Sequence, residues 1–104
     1  MNEKIKSKET DLLIEAMTHL QTKDDYYNFF EDLLTAAEFK TLAGRLNAAK
    51  LLHEGKTYIE VTAATGVSAA TISRISRCLL YGADGYNTVL RKMKSTEKSE
   101  ADKK

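Results

Sequence analysis

The stretch Gly66-Val67-Ser68-Ala69-Ala70-Thr71-Ile72-Ser73-Arg74-Ile75 constrains this chain more than any other. A glycine supplies the left-handed backbone conformation that a tight turn between helices needs. Val67 follows as an apolar plug. Ser68 is a strong N-cap, its hydroxyl able to accept from the free amides of a new first turn. Val67, Ile72 and Ile75 can then be buried together. Ala69, Ala70, Ser73, Arg74 and Arg77 are left on or near the outer faces. Two short helices joined by a glycine turn, the second one capped, make a helix-turn-helix.

The rest of the chain is equally helical in character. Its 104 residues include no proline and five glycines, and alanine, leucine, lysine and glutamate are common, a composition that favours helix. A chain of this length forms one domain. It buries only about 60–68% of its unfolded surface, so a dimer partner would help it. Leu12, Leu13, Ala16, Met17 and Leu20 form one apolar stripe at helical spacing and predict a first helix from about Glu9 to Gln21. Thr22 can cap a second, with Asp24 and Asp25 at the positive end of its dipole. Its Tyr26, Tyr27, Phe29, Phe30, Leu33 and Leu34 are too many large apolar residues for one covered face. They predict burial against more than one neighbour, a second subunit included.

Thr35-Ala36-Ala37-Glu38 is a capping box that opens a long third helix to about Glu54, ended by Gly55. Thr57-Tyr58-Ile59-Glu60 is another, opening a fourth helix to Thr65. The fifth runs from Ala69 to about Leu80. Asp84 is positioned to cap a sixth, containing Tyr86, Val89, Leu90 and Met93. The organisation expected is a single helical domain over residues 1–93. Within it, 9–54 are dimerisation helices, 57–80 the helix-turn-helix and 84–93 a C-terminal helix. Residues 94–104, with no large apolar side chain, are expected to be a disordered charged tail.

Charge is unevenly placed. Residues 1–38 carry four lysines and nine acids, whereas residues 39–93 carry eight basic residues and three acids. The half with the helix-turn-helix is therefore basic, as contact with a phosphate backbone requires. Small residues at the start of the fifth helix suit entry into a major groove, and arginines further along suit phosphate. Ser68, Ala69, Ala70, Thr71, Ser73, Arg74 and Arg77 are the candidate DNA-binding residues, joined by Lys56 and Thr57 at the start of the fourth helix.

A wider set of residues resembles the tryptophan repressor. Leu33-Leu34-Thr35, Leu42-Ala43-Gly44-Arg45, Leu51-Leu52-His53-Glu54-Gly55 and Ala70-Thr71-Ile72-Ser73-Arg74 fall in the repressor's order and nearly its spacing, with one residue fewer between Gly55 and Gly66. Over about residues 9–93 the chain is similar to the YerC/YecD branch of the tryptophan-repressor-like superfamily. That resemblance implies an all-α, six-helix fold forming an intertwined homodimer whose fourth and fifth helices read DNA. It places Ala69, Ala70 and Ser73 at base-facing positions and Thr71 at a backbone or ligand contact. The chain departs from the common helix-turn-helix pattern in one place. Alanine usually stands four residues before the glycine and a large apolar residue just before it, but Thr62 and Thr65 stand here. The departure predicts an atypical or mobile fourth helix.

The resemblance also implies an effector site. Arg45 and Arg74 match two arginines that flank the repressor's indole, and Leu34 and Thr35 match main-chain contacts from the other subunit. Ile75 replaces a glycine at the indole position, and Cys78 replaces a ligand-holding serine. Losing that hydroxyl leaves a polar ligand group without a partner, at a cost of roughly 1–3 kcal/mol. The chain is thus expected not to respond to tryptophan. Either Ile75 fills the site, or a small-molecule effector of other identity binds near Arg45 and Arg74. A third reading pairs both arginines with acids such as Glu38 or with phosphate.

Other chemistry finds little support. His19 and His53 lie on separate helices without metal-ligand spacing to a cysteine or carboxylate, so no metal or other cofactor is expected. The single cysteine, Cys78, allows no intrachain disulfide and fits a reducing cytoplasm. No nucleophile–base set or phosphate loop suggests an enzyme, and no apolar run is long enough for a membrane. The expectation is a homodimeric regulator, a repressor by resemblance, that binds double-stranded DNA. The competing expectation is a helical protein–protein module that has lost DNA binding.

Overall fold

The computed structural model describes residues 3–102, and all regular secondary structure among them is helical. Six helices follow in order: α1 (Lys8–Met17), α2 (Lys23–Leu33), α3 (Ala36–His53), α4 (Tyr58–Thr65), α5 (Ala69–Tyr81) and α6 (Gly85–Asp102). Local side-chain chemistry sets most of the starts. Ser7 and Thr10 cap α1 reciprocally, as Thr22 and Asp25 cap α2. Thr35 with Glu38, and Thr57 with Glu60, do the same for α3 and α4. Each pair satisfies backbone amides that a helix start would otherwise leave open. α3 ends where Gly55 turns to φ 91°. There the Lys56 and Gly55 amides donate to the Leu51 and Leu52 carbonyls, both at 3.0 Å.

Packing divides the chain into two compact units, one up to Phe39 and one from Lys40 onward. Burial explains the division. The buried apolar residues Ala48, Ala49, Val61, Ile72, Ile75 and Leu90 all lie in the second unit. α1 and α2 bury none.

In the first unit the aromatic side chains gather round Phe39. Phe30 meets its edge at a centroid distance of 5.4 Å and 85°, and Tyr27 stacks on it at 6.0 Å and 15°. The burial expected for this helix is not complete within the chain. Phe29 and Phe30 are half-buried, but Tyr26, Tyr27 and Leu33 are exposed. In the second unit α5 packs against α4 and α6. Leu51, Leu52, Val67, Leu79 and Tyr86 line the edge of the core.

Three sequence expectations are corrected at helix ends. Apolar spacing predicts a first helix to Gln21, but α1 stops at Met17. The Thr18 hydroxyl donates to the Glu15 carbonyl at 2.6 Å, and the His19 and Leu20 amides reach back only three residues, a tightening turn that closes the helix. Asp84 stands at the start of α6, its carbonyl accepting from the Thr88 amide at 2.9 Å, but with φ 72°. Its carboxylate accepts from the Asn87 side-chain amide at 2.9 Å.

The third correction concerns residues 94–104, expected to be disordered. α6 continues through Asp102, and residues 103–104 lie outside the described residues. A lack of apolar side chains argues against a packed element but not against a solvated helix. The segment after Gly85 holds no glycine or proline and is rich in lysine, which propagates helix well.

Candidate nucleic-acid interface

The candidate interface comprises α4, the turn after it and α5. Val61 is fully buried and roots α4 in the core. Gly66 takes φ 72°, and its amide donates to the Thr62 carbonyl at 2.9 Å. Thr62 and Thr65 do not make α4 irregular. The Thr65 hydroxyl donates to the Val61 carbonyl at 2.7 Å and accepts from the Val67 amide at 3.2 Å, bridging the turn. Val67 then points to α3, where a Cβ built on Gly44 would meet its Cγ2 at an ordinary 3.6 Å.

Ser68 caps α5, accepting from the Thr71 amide at 3.3 Å, and its hydroxyl lies 3.0 Å from that of Thr71. Ile72 is fully buried and Ile75 is 3% exposed, so one face of α5 is fixed in the core. Ala69, Ala70, Arg74 and Arg77 are exposed. Ser73 is half-buried, less open than its place on the outer face predicts, because it shares a turn with both Ile72 and Ile75. Lys56 is exposed before α4, and the Thr57 hydroxyl is engaged in the α4 cap with Glu60.

Beside the turn lies a cleft of about 330 Å³ lined by Lys40, Thr41, Gly44 and Arg45 of α3 and by Thr65 to Ser68 and Thr71. Lys40 and Thr41 were not expected there. The available signal was spacing alone, because Thr41 stands one helical turn before Arg45. A smaller cleft, about 130 Å³, is lined by Arg45, Thr71, Arg74, Ile75, Cys78 and Tyr86. It gathers four of the residues considered for an effector and adds Tyr86. Cys78 is half-buried and free.

Leu34 and Thr35, the remaining effector candidates, are in the first unit. Leu34 is half-buried and closes α2, its amide donating to the Phe30 carbonyl at 2.8 Å. The Thr35 hydroxyl accepts from the Glu38 amide at 3.1 Å. Glu38 accepts from the Thr35 amide at 2.9 Å, and that backbone bond holds its carboxyl below the usual carboxylate range. Among the described residues, no three histidine, cysteine or acidic side chains gather to hold a metal ion, and no helix is long and apolar enough to cross a membrane.

A capped helix with exposed small and basic residues, set across a glycine turn from a helix rooted in the same core, defines a helix-turn-helix protein. Residues 8–94 match the family described as Trp repressor protein. The chain belongs to that family. It is similar to the uncharacterized protein YerC of Bacillus subtilis (strain 168), 43% identical over 97% of each chain. Among solved structures it resembles a TrpR-like protein from Eubacterium eligens ATCC 27750. The TM-score is 0.82 at 41% identity, covering 88% of this chain and 95% of that one. A structure from Staphylococcus aureus also has a TM-score of 0.82, at 38% identity over 88% and 92%. Members of the family are regulators rather than enzymes, and membership points to a DNA-binding regulator.

Proposed function

We propose that the chain is a sequence-specific DNA-binding transcription regulator, a repressor by class, that acts in the cytoplasm as an intertwined homodimer. One observation carries the reading. The buried Ile72 and Ile75 root α5 while Ala69, Ala70, Arg74 and Arg77 stay open to solvent. The alanine methyls pack on thymine methyl groups, and Ser73 bonds a base edge or a bridging water. Arg74 and Arg77 bind phosphate, with Lys56 adding charge at the start of α4 and the Thr57, Ser68 and Thr71 cap residues lying along the backbone. The two copies of α5 enter successive major grooves about 34–36 Å apart, the spacing of helix-turn-helix dimers generally, Trp repressor included.

The dimer is supported by the first unit. Leu12 is 67% exposed, Ile14 54% and Tyr27 64%, while no residue of α1 or α2 is fully buried within the chain. Apolar side chains left this open mark an interface, here with a second copy. Selection of bound sequences from a random duplex pool tests class and symmetry together. A two-fold symmetric consensus is expected. No enrichment would overturn the DNA reading, and an asymmetric consensus would overturn the dimer.

DNA binding in this reading needs no tryptophan. The cleft holding Arg45, Arg74 and Cys78 is about 130 Å³, below the roughly 300–1,000 Å³ of small-molecule sites. Ile75 lines it and is buried in the core. Calorimetry with tryptophan is expected to give no binding heat, and a clean micromolar isotherm would refute the ligand-independent state.

A further inference from the structure

We infer that the Thr65 hydroxyl is a positioning group for the reading helix, and that it sets sequence discrimination by fixing where α5 starts. This rests on α5 reading DNA. Three observations converge on the residue. Its hydroxyl hydrogen is given to the Val61 carbonyl at 2.7 Å, four residues back in α4. Its oxygen accepts the Val67 amide at 3.2 Å, two residues ahead. Between the two contacts Gly66 reverses the chain at φ 72°. One side chain therefore clips the last turn of α4 to the first residue beyond the glycine.

Val67 transmits that constraint. Its amide is held by Thr65, and its side chain is held at the edge of the core. Ser68, the next residue, caps α5 through the Thr71 amide, and exposed Ala69 and Ala70 follow directly. A large apolar residue at position 65 would hold the turn by packing, which has no direction. The hydroxyl holds it by two directional bonds, and a half-buried amide that loses its acceptor has none to replace it. Thr65 contacts no DNA in this scheme. It acts through the backbone of Val67 and Ser68.

The test uses the full-length protein, a duplex selected by the wild type and a scrambled duplex, with Thr65→Val as the near-isosteric loss of the hydroxyl and Thr65→Ser as its conservative rescue. Hydrogen exchange at the Val67 amide is followed in the free protein. Thr65→Val is expected to lose roughly tenfold affinity for the selected duplex, with scrambled-duplex affinity changed less than about twofold. Val67 exchange is expected to quicken roughly tenfold while the Ile72 and Ile75 amides keep their protection. Thr65→Ser is expected to restore both readouts.

Undiminished discrimination in Thr65→Val overturns the inference. So does equal loss on both duplexes with protection lost throughout α5, because that marks a purely structural role. A Thr65→Ser protein that behaves like Thr65→Val also overturns it, since the hydroxyl would then not be the active feature. If the wild type shows no sequence preference, the DNA reading fails and the inference fails with it. Val67 exchange then still reports whether the clip itself exists.

Discussion

Thr35 and Glu38 close the start of α3 on each other: the Glu38 amide donates to the Thr35 hydroxyl at 3.1 Å and the Thr35 amide to the Glu38 carboxylate at 2.9 Å. Asp25 is placed the same way at α2, accepting from the Gln21 amide at 3.0 Å and the Thr22 amide at 3.1 Å. Bonds from Gln21 and Thr22 to Asp25, and from Thr35 to Glu38, favour the charged forms, so both carboxyls lie below their ordinary values. A folded-state pKa below the unfolded one contributes stability above the unfolded value. That contribution is lost as pH falls through the folded value. Acidification is therefore expected to loosen the starts of α2 and α3. Far-UV circular dichroism against pH checks this, and Asp25→Asn with Glu38→Gln should flatten the acid limb. An unchanged limb would show that neither cap is coupled to folding.

Arg74 and Arg77 are exposed on α5, so their contribution to DNA affinity should be electrostatic and visible in salt. If each touches one phosphate, alanine at either position removes two contacts from a dimer. The slope of log affinity against log salt should then shrink by about 1.8 for each substitution. Fluorescence anisotropy across a salt series measures it. Thermal stability should move by no more than about 0.5 kcal/mol, because neither side chain is buried. A full salt slope in the double variant would place the phosphate contacts elsewhere.

The caps were legible in the sequence because a cap is a local device. Thr22, Thr35, Thr57 and Ser68 each stand three residues before the group they engage, and no distant contact is needed to see it. The burial of Ile72 and Ile75 was legible for the same reason, from spacing on one helix. The length of α6 was not, because a solvated helix and a disordered tail share the composition of residues 94–102. Nor was the role of Thr65. Its departure from the apolar pattern suggested mobility, and only the positions of the Val61 carbonyl and the Val67 amide reveal what the hydroxyl does. Spacing put Thr41 one helical turn before Arg45, but that Lys40 and Thr41 lie beside the turn depends on how α3 packs against it.

Gly82 and Gly85 flank the connection from α5 to α6 and should respond oppositely to alanine. A Cβ at Gly82 would lie 2.5 Å from the Cys78 carbonyl oxygen and 2.9 Å from its Cα, against backbone that cannot step aside. At Gly85, the first residue of α6, a Cβ meets nothing within 4 Å and the backbone is not left-handed. Gly82→Ala should destabilise by about 1–3 kcal/mol, as overpacking does. Gly85→Ala should stabilise by about 0.4–1 kcal/mol, by restricting the unfolded chain. Urea unfolding of the two variants distinguishes them. Equal effects would mean that the connection is not held as described.

Ala70 allows stability and DNA binding to be driven in opposite directions. It is exposed in the first turn of α5, two residues after the Ser68 cap, where the open amides carry partial positive charge. That turn contains no acidic residue. Ala70→Glu places a carboxylate there and should raise stability by about 0.3–1 kcal/mol. The same carboxylate would face the floor of the groove between two phosphate strands. It should lower affinity for every duplex by at least tenfold, since like charge opposes approach before any base is read. Ala70→Gln, near in size and uncharged, should lose mainly the selected sequence. Thermal melts and anisotropy on the same two preparations give both quantities. A more stable Ala70→Glu protein that still binds DNA at wild-type affinity would mean that the first turn of α5 does not enter the groove.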